Sequence, residues 1–132
     1  MNVIVCIDDH MGMMFNKRRQ TKDEKVTEKI RDIVGNSKLY VNDFSHALFN
    51  GFCISVQEPL KCAGREDYCF IENVDISGYE DAIQRLYVFK WNRAYPHDFT
   101  LHMDYQSDFR LIHTEDFKGK SHEKITLEVW DK

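Results

Sequence analysis

The sequence predicts an α/β domain with a mostly parallel sheet and antiparallel strands at its C-terminal end. Short apolar runs rich in β-branched residues alternate with helix-like segments through the first part of the chain, as in parallel sheets. Near the C-terminus, residues 109–113 and 125–130 alternate polar and apolar side chains, as antiparallel strands do. The chain has 132 residues, which suits one core. We therefore expect a single domain over residues 1–132.

The first element is a buried strand over residues 2–7, because this run is apolar and β-branched. The strand ends at Asp8 and Asp9. Residues 9–20 are predicted to form a loop, with Gly12 as its flexible point.

A helix follows this loop. Thr21 and Glu24 have the spacing of a capping box, which makes Thr21 the predicted N-cap. One apolar helix face is formed by Val26, Ile30, Ile33 and Val34. Gly35 provides the C-terminal stop.

The rest of the chain contains four further apolar runs before the closing strand pair. Strands are predicted over residues 38–41, 52–56, 68–71 and 86–91. Short helices are predicted over 45–49 and 76–84. Residues 58–67 are polar and contain Pro59 and Gly64, so they predict a loop, and Gly119 marks the turn between the last two strands.

Composition excludes several classes of protein. The chain has a net charge of -4, which argues against a general nucleic-acid binder. It has no apolar run long enough to span a membrane, so we expect no membrane partner. The apolar N-terminal run is too short for a secretory signal, and we expect a cytoplasmic protein.

Charge and cysteine patterns leave two alternatives open. Residues 17–38 contain eight Lys or Arg against four Asp or Glu, and Lys17-Arg18-Arg19 is a basic run. This run is either a solvated loop, which we favour, or a phosphate contact. The four cysteines contain no C-x-x-C pair, which argues against a zinc site. Cys62 and Cys69 are either free or bonded to each other.

Four segments carry a resemblance to a known family. The opening VIVCIDDHMGMMFN has an apolar strand followed by Gly12 and Asn16, and YEDAIQRLYVFKW combines a short helix with a strand. HDFTL follows that strand, and DFRLIHTEDFKGKSHEKITLEVWDK has the pattern of a closing hairpin. In this order the segments resemble the dihydrofolate reductase family over most of the chain. The resemblance implies a dihydrofolate-reductase-like scaffold.

The departures from the family pattern concern its chemistry. The family's catalytic carboxylate falls on Val26, with Asp23 and Glu24 near it but out of register. Its Gly-Arg-x-Thr cofactor segment falls on residues 42–45, and its paired glycines at the diphosphate fall on Glu72-Asn73. Because a carboxylate there would repel phosphate, we expect no NADPH binding and a loss of reductase activity.

The opening residues are also similar to short bacterial proteins that carry the name ribonuclease Z. True ribonuclease Z enzymes use a His-x-His-x-Asp-His metal motif, and the six histidines of this chain do not form it. The residues therefore do not support that name.

If the first strands are parallel, their carboxyl ends share one edge of the sheet, where ligands bind in open α/β folds. The side chains expected at this candidate pocket are Asp8, Asp9, His10, Asn16, Asn42, Asp43, Ser45, Glu72, Asn73 and Arg93. Among them, Asp9, Asp43 and Glu72 are candidate ligands for a divalent metal, which could activate water for cleavage of a phosphodiester such as RNA. The simpler interpretation is that these residues end strands and begin turns.

Two of these candidates have simpler roles as well. His10 follows two aspartates that could orient it, but such a histidine is more often a solvent-exposed loop residue. Arg93 could pair with Asp98 and stack on Trp91 or Tyr95. We favour a structural corner over residues 91–98, rather than a stacking platform for a flat ring.

The sequence thus predicts a small-ligand binding module on a degenerate dihydrofolate-reductase-like scaffold, with a metal-dependent phosphodiester hydrolase as the alternative. Under that alternative the partner is RNA and the cofactor a divalent metal. The sequence predicts neither residual catalysis nor an oligomeric state.

Overall fold

A computed structural model describes all 132 residues. The strands are β1 (Asn2–Ile7), β2 (Gly12–Phe15), β3 (Arg18–Arg19), β4 (Leu39–Val41), β5 (Ile54–Ser55), β6 (Tyr68–Phe70), β7 (Arg85–Lys90), β8 (Phe99–Thr100), β9 (Arg110–Phe117) and β10 (Ile125–Asp131). The α-helices are α1 (Glu24–Val34), α2 (Asp43–His46), α3 (Pro59–Cys62) and α4 (Tyr105–Asp108), and single 3₁₀ turns cover Ala47–Phe49 and Glu80–Ala82. No helix has the length and apolar character needed to cross a membrane.

Seven strands form the main sheet in the order β5-β4-β6-β1-β7-β10-β9. The first five of these are parallel to one another, and β10 runs antiparallel to both β7 and β9. The predicted fold class, a mostly parallel sheet with antiparallel C-terminal strands, is confirmed. The three short strands β3, β2 and β8 make a second, antiparallel sheet beside it.

The apolar runs of β1 and β7 lie at the centre of the sheet because both faces of these strands are covered. Val3 and Val5 face one core, and Ile4 faces the other. The second core contains Val26, Ile30 and the other buried residues of α1. Burial of a side chain such as Ile30, which is fully buried, contributes roughly 1.5–3 kcal/mol. The helix is therefore held mainly by its apolar face.

Helix α1 begins differently from the prediction. Its N-cap is Asp23, whose carboxylate accepts a hydrogen bond from the Lys25 N–H, and not Thr21. Aspartate is as good a cap as threonine, and the Thr21 hydroxyl contacts His122 instead. The predicted C-terminal stop at Gly35 is confirmed. Its φ of 56° is incompatible with a continued α-helix, and its N–H donates a hydrogen bond to the Arg31 carbonyl.

Other differences lie in the connecting segments. The predicted loop 9–20 contains the hairpin β2–β3, closed by Asn16 and Lys17 with φ of 51° and 60°. The predicted helix 76–84 has only the single 3₁₀ turn Glu80–Ala82, and the predicted loop 58–67 contains the short α3. All four cysteines are free, so Cys62 and Cys69 are not bonded to each other.

Candidate functional site

Two of the predicted strand ends meet at one edge of the sheet. Beyond β4, the Asn42 side chain donates a hydrogen bond to the Asn73 side chain, with 2.8 Å between Nδ2 and Oδ1. The buried Ser45 hydroxyl donates to Glu72 across 2.6 Å. The parallel arrangement of β4 and β6 places these four residues together, as expected from the sequence.

Arg19, which the sequence placed in a basic loop, completes this cluster. Its Nε and Nη2 donate to the two oxygens of Glu72 at 2.6 and 2.7 Å. The Glu72 side chain is only 10% exposed and the Arg19 side chain 23%. The hydrogen bond to Glu72 raises the pKa of Arg19 above its ordinary value. The guanidinium also lies 4.8 Å from the centre of the Phe44 ring.

This pair leads to a first prediction. Substitution Glu72→Gln leaves the half-buried Arg19 without a counter-charge. The NH₂ group of the glutamine then faces one of the two Arg19 N–H groups that donated to Glu72. We expect a loss of about 1–3 kcal/mol in the free energy of unfolding, measured by urea denaturation. The matched control is Glu58→Gln, which alters an exposed pair with Lys61 and should change stability by less than about 0.5 kcal/mol. Equal losses in the two variants would contradict a stabilising role for the Arg19–Glu72 pair.

The end of β1 does not join this cluster. The Asp8 carboxylate is fully buried and accepts hydrogen bonds from the backbone N–H groups of His10 at 2.8 Å, Gly12 at 2.7 Å and Tyr95 at 3.1 Å. Burial by itself would raise the pKa of Asp8, but these bonds outweigh it and lower the pKa below its ordinary value. Asp8 therefore ties the loop after β1 to the segment after β7.

The residues next to Asp8 are exposed. Asp9 donates its backbone N–H to the Arg93 carbonyl across 2.9 Å, and its side chain has no hydrogen-bond partner in the chain. The His10 ring stacks on the ring of His97 with 5.9 Å between centroids. His10 is thus a solvent-exposed loop residue, in line with the simpler interpretation of the sequence.

The three candidate metal ligands do not converge. Asp9 is exposed at the end of β1, Asp43 accepts a hydrogen bond from the Ser55 hydroxyl at 2.6 Å, and Glu72 is paired with Arg19. No group of three or more His, Cys, Asp or Glu side chains lies where it could hold a metal ion. The geometry required by the hydrolase alternative is therefore absent.

The segment 91–98 is a structural corner, but its predicted ion pair does not form. Arg93 has no carboxylate partner and lies exposed, because Asp98 accepts the backbone N–H of Asn16 at 3.0 Å instead. Trp91 is buried and stacks on His122 with 4.7 Å between ring centroids. This corner therefore holds the hairpin tip at Asn16 and the His122 ring.

Sequence reasoning missed a buried hydrogen-bonded pair, Asp23 and His122. These side chains are 0% and 2% exposed, with 2.9 Å between Asp23 Oδ2 and His122 Nδ1. His122 Nε2 lies 3.3 Å from the Thr21 hydroxyl and 3.2 Å from that of Tyr95. The two partners are 99 positions apart, so no local motif could have revealed the pair.

The Asp23 carboxylate has no free acceptor position. One oxygen accepts the N–H groups of Lys25 and Lys120, and the other accepts the N–H and hydroxyl of Ser121 together with His122. Burial alone would raise the pKa of Asp23, but these hydrogen bonds hold the pKa well below its ordinary value. The carboxylate is therefore ionised, and His122 Nδ1 carries a proton.

A pocket lies between α1 and the sheet. Its cavity measures about 30 Å³, less than the space that a small organic ligand occupies. Its apolar wall is formed by Met13, Val26, Ile30, Leu48, Phe70 and Trp91. Arg19, Thr21 and Glu72 stand at its polar rim, and Cys6 lies in the wall with its pKa raised by burial and by the charge of Glu72. An apolar wall with a few polar groups is typical of small-molecule sites, although the side chains here fill most of the space that a ligand would need.

Comparisons with known proteins define the fold that carries this pocket. The chain has a dihydrofolate-reductase-like fold. It is similar to the solved structure of dihydrofolate reductase from Enterococcus faecalis complexed with NADP(H) and RAB-propyl, with a TM-score of 0.73. The match covers 98% of this chain and 94% of that one at 8% sequence identity. No family model and no curated protein matches the sequence.

Proposed function

We propose that this protein binds a small molecule in the pocket between α1 and the sheet and does not act as a dihydrofolate reductase. The observation that carries the proposal is the lining of the pocket, in which an apolar wall meets the Arg19–Glu72 pair at the rim; a ligand enters as the cavity of about 30 Å³ widens. That pair and the buried Asp23–His122 pair hold the rim in place from two sides.

The state of the carboxylates supports a loss of reductase chemistry. Two carboxylates lie near the sequence position of the family's catalytic carboxylate. Asp23 has both oxygens occupied by donors of the protein, and Glu24 is exposed and paired with Lys120. Neither has the free, buried oxygen that would hold and protonate a substrate ring.

The segment after β6 supports a loss of NADPH binding. Glu72 stands where the family has a glycine at the diphosphate, and its charge is tied to Arg19. Residues 71–84 contain only one 3₁₀ turn, so they offer no long helix N-terminus to a diphosphate. Asp43 adds a further negative charge at the first turn of α2.

No observation favours the hydrolase alternative, and the divalent metal and RNA partner that belong to it are not proposed further. A cytoplasmic location stays a prediction.

The second half of the proposal, the loss of reductase function, is tested by titration. Calorimetry with NADPH should give no saturable heat, because the diphosphate would meet Glu72. Saturable binding at micromolar concentrations would contradict the loss of the cofactor site.

The first half, binding of a small molecule in the pocket, is tested by a screen of small aromatic compounds. We expect hits to shift the backbone amide signals of Met13, Ile30 and Phe70 in ¹⁵N-labelled protein. Leu48→Trp should abolish these shifts, because the larger ring fills the pocket that Leu48 lines. Leu111→Trp is the matched control, since Leu111 is exposed on the edge strand β9. A screen in which no compound moves the pocket amides would contradict the proposal.

A further inference from the structure

The buried pair of Asp23 and His122 leads to a hydroxyl group that is partly open to solvent. His122 Nδ1 lies 2.9 Å from Asp23 Oδ2, and on the other side of the ring His122 Nε2 lies 3.3 Å from the Thr21 hydroxyl. Catalytic hydrogen bonds are often this long before substrate binds. Because the proton of the neutral imidazole sits on Nδ1, facing Asp23, Nε2 is the acceptor for the Thr21 proton. Hydroxyl, imidazole and carboxylate thus stand in the order of a catalytic triad.

The His122 ring is held in one orientation. Asp23 accepts the backbone N–H groups of Lys120 and Ser121, which directly precede His122 in the chain. Trp91 stacks on the ring from its face, with 4.7 Å between centroids. In a triad, a fixed carboxylate determines which ring nitrogen carries the proton and stabilises the imidazolium that forms during the reaction. Asp23 is therefore a positioning residue, and His122 is a general base aimed at Thr21.

Thr21 is accessible and has no competing role. Its hydroxyl makes a hydrogen bond to His122 only, because Asp23 caps helix α1 in its place. Thr21 is half-buried and lines both the apolar pocket and the open surface beside the hairpin β2–β3. A substrate carbonyl can therefore approach Thr21 from the open surface, and the narrow pocket does not have to hold it.

Backbone donors follow Thr21 directly along the chain. The N–H groups of Lys22, Asp23 and Glu24 donate to no acceptor of the protein, since they precede or begin the first turn of α1. Attack on a carbonyl group produces a negatively charged oxygen, which free backbone N–H groups stabilise. The segment after Thr21 thus supplies donors of the kind that acyl transfer requires.

We propose that Thr21 is a nucleophile that cleaves small acyl esters, with His122 as its general base and Asp23 as the residue that positions His122. Thr21 Oγ1 bonds to the ester carbonyl carbon while His122 Nε2 takes the hydroxyl proton. The bond from that carbon to the alcohol oxygen then breaks, and the alcohol leaves with the proton. Water, deprotonated by His122, attacks the acyl group on Thr21, which releases the carboxylic acid and restores the hydroxyl. This activity goes beyond the proposed binding function and does not depend on it.

The test follows the cleavage of p-nitrophenyl acetate by the full chain. We expect a burst of p-nitrophenol that approaches one equivalent per chain, and an acetyl group on Thr21 when the reaction is stopped with acid and its peptides are mapped by mass spectrometry. Thr21→Val removes the hydroxyl at nearly constant size and should lower the rate at least about tenfold. Thr21→Ser should retain the burst, because it keeps a hydroxyl in the same place.

The matched control is Thr27→Val on the same helix. The Thr27 hydroxyl donates to the Glu24 carbonyl and contacts no histidine, so this variant should cleave the ester as the wild type does.

Tyr95 provides a readout that a purely structural network would not give. Its hydroxyl lies 3.2 Å from His122 Nε2 and competes with Thr21 for the same lone pair. Tyr95→Phe removes this competitor and should raise the rate of cleavage about twofold, because the two hydroxyls lie at nearly equal distances. A structural network would only lose stability in this variant.

Several outcomes would overturn the proposal. An acetyl group found only on lysines, on the N-terminal amine or on Tyr95 would show that Thr21 is not the nucleophile. Equal rates for wild type and Thr21→Val, or equal losses in Thr21→Val and Thr21→Ser, would also contradict it. None of these results bears on ligand binding in the apolar pocket, which the aromatic screen and Leu48→Trp test separately.

Discussion

Substitution Asp23→Asn should destabilise the protein by about 3–5 kcal/mol, because it removes a buried carboxylate charge that accepts five hydrogen bonds. Each oxygen of Asp23 accepts at least one backbone N–H. An asparagine amide must therefore direct its NH₂ group at a backbone donor, whichever way it is turned. The loss should appear as a lower midpoint of urea unfolding, and it is a large part of the roughly 5–15 kcal/mol that stabilises a domain.

The same variant should change how stability depends on pH. The folded-state pKa of Asp23 is depressed, so its contribution is complete above the unfolded-state pKa of about 3.9. It is lost as the pH falls through the folded-state pKa. The stability difference between wild type and Asp23→Asn should therefore be largest near neutral pH and shrink in acid.

The control for this prediction lies on the same helix. Asp32 is exposed, and Asp32→Asn should change the free energy of unfolding by no more than about 0.5 kcal/mol. A loss for Asp23→Asn below about 1 kcal/mol, or a difference from wild type that does not vary with pH, would contradict the assignment of Asp23 as a buried, ionised anchor.

Local pattern was enough to predict the parallel half of the sheet. The strands β1 and β7 contain continuous apolar runs because both of their faces are covered, and such runs stand out in a sequence. The hairpin β2–β3 was missed for a physical reason. Its turn uses positive φ at Asn16 and Lys17, where a glycine would have marked it.

The candidate site was predicted only where strand order decided it. Parallel pairing brings the ends of β4 and β6 together, so the contact between Ser45 and Glu72 follows from the fold. The partner of Glu72 was not foreseen, because Arg19 is 53 positions away on a hairpin that the sequence did not indicate. Without that pairing, Glu72 looked available to a metal.

Gly119 shows the same limit of sequence-based prediction at the buried Asp23–His122 pair. The sequence indicates a turn there, which is correct, since Gly119 lies between β9 and β10. A side chain at this position would collide with the Asp23 carboxylate and lie 2.8 Å from Ile125 Cδ1. The close approach of the closing turn to α1, which buries His122 against Trp91, is a tertiary property that local pattern does not contain.

Asp8→Asn should be the second most damaging conservative change, with an expected loss of about 2–3 kcal/mol. One oxygen of Asp8 accepts the N–H groups of His10 and Gly12, and the other accepts those of Tyr95 and the Gln20 side chain. An asparagine amide again meets a backbone N–H in either orientation. The variant leaves one buried donor without an acceptor, and urea unfolding should report the loss.

The neighbouring Asp9 provides a control of the same residue type one position away. Its side chain is exposed and accepts no hydrogen bond from the chain, so Asp9→Asn should be neutral within about 0.5 kcal/mol. Because Asp8 joins the loop after β1 to the segment before β8, its loss should also speed hydrogen exchange of the Gly12 and Tyr95 amides. Equal effects of the two variants would show that the strand end itself, and not the buried carboxylate, holds the loop.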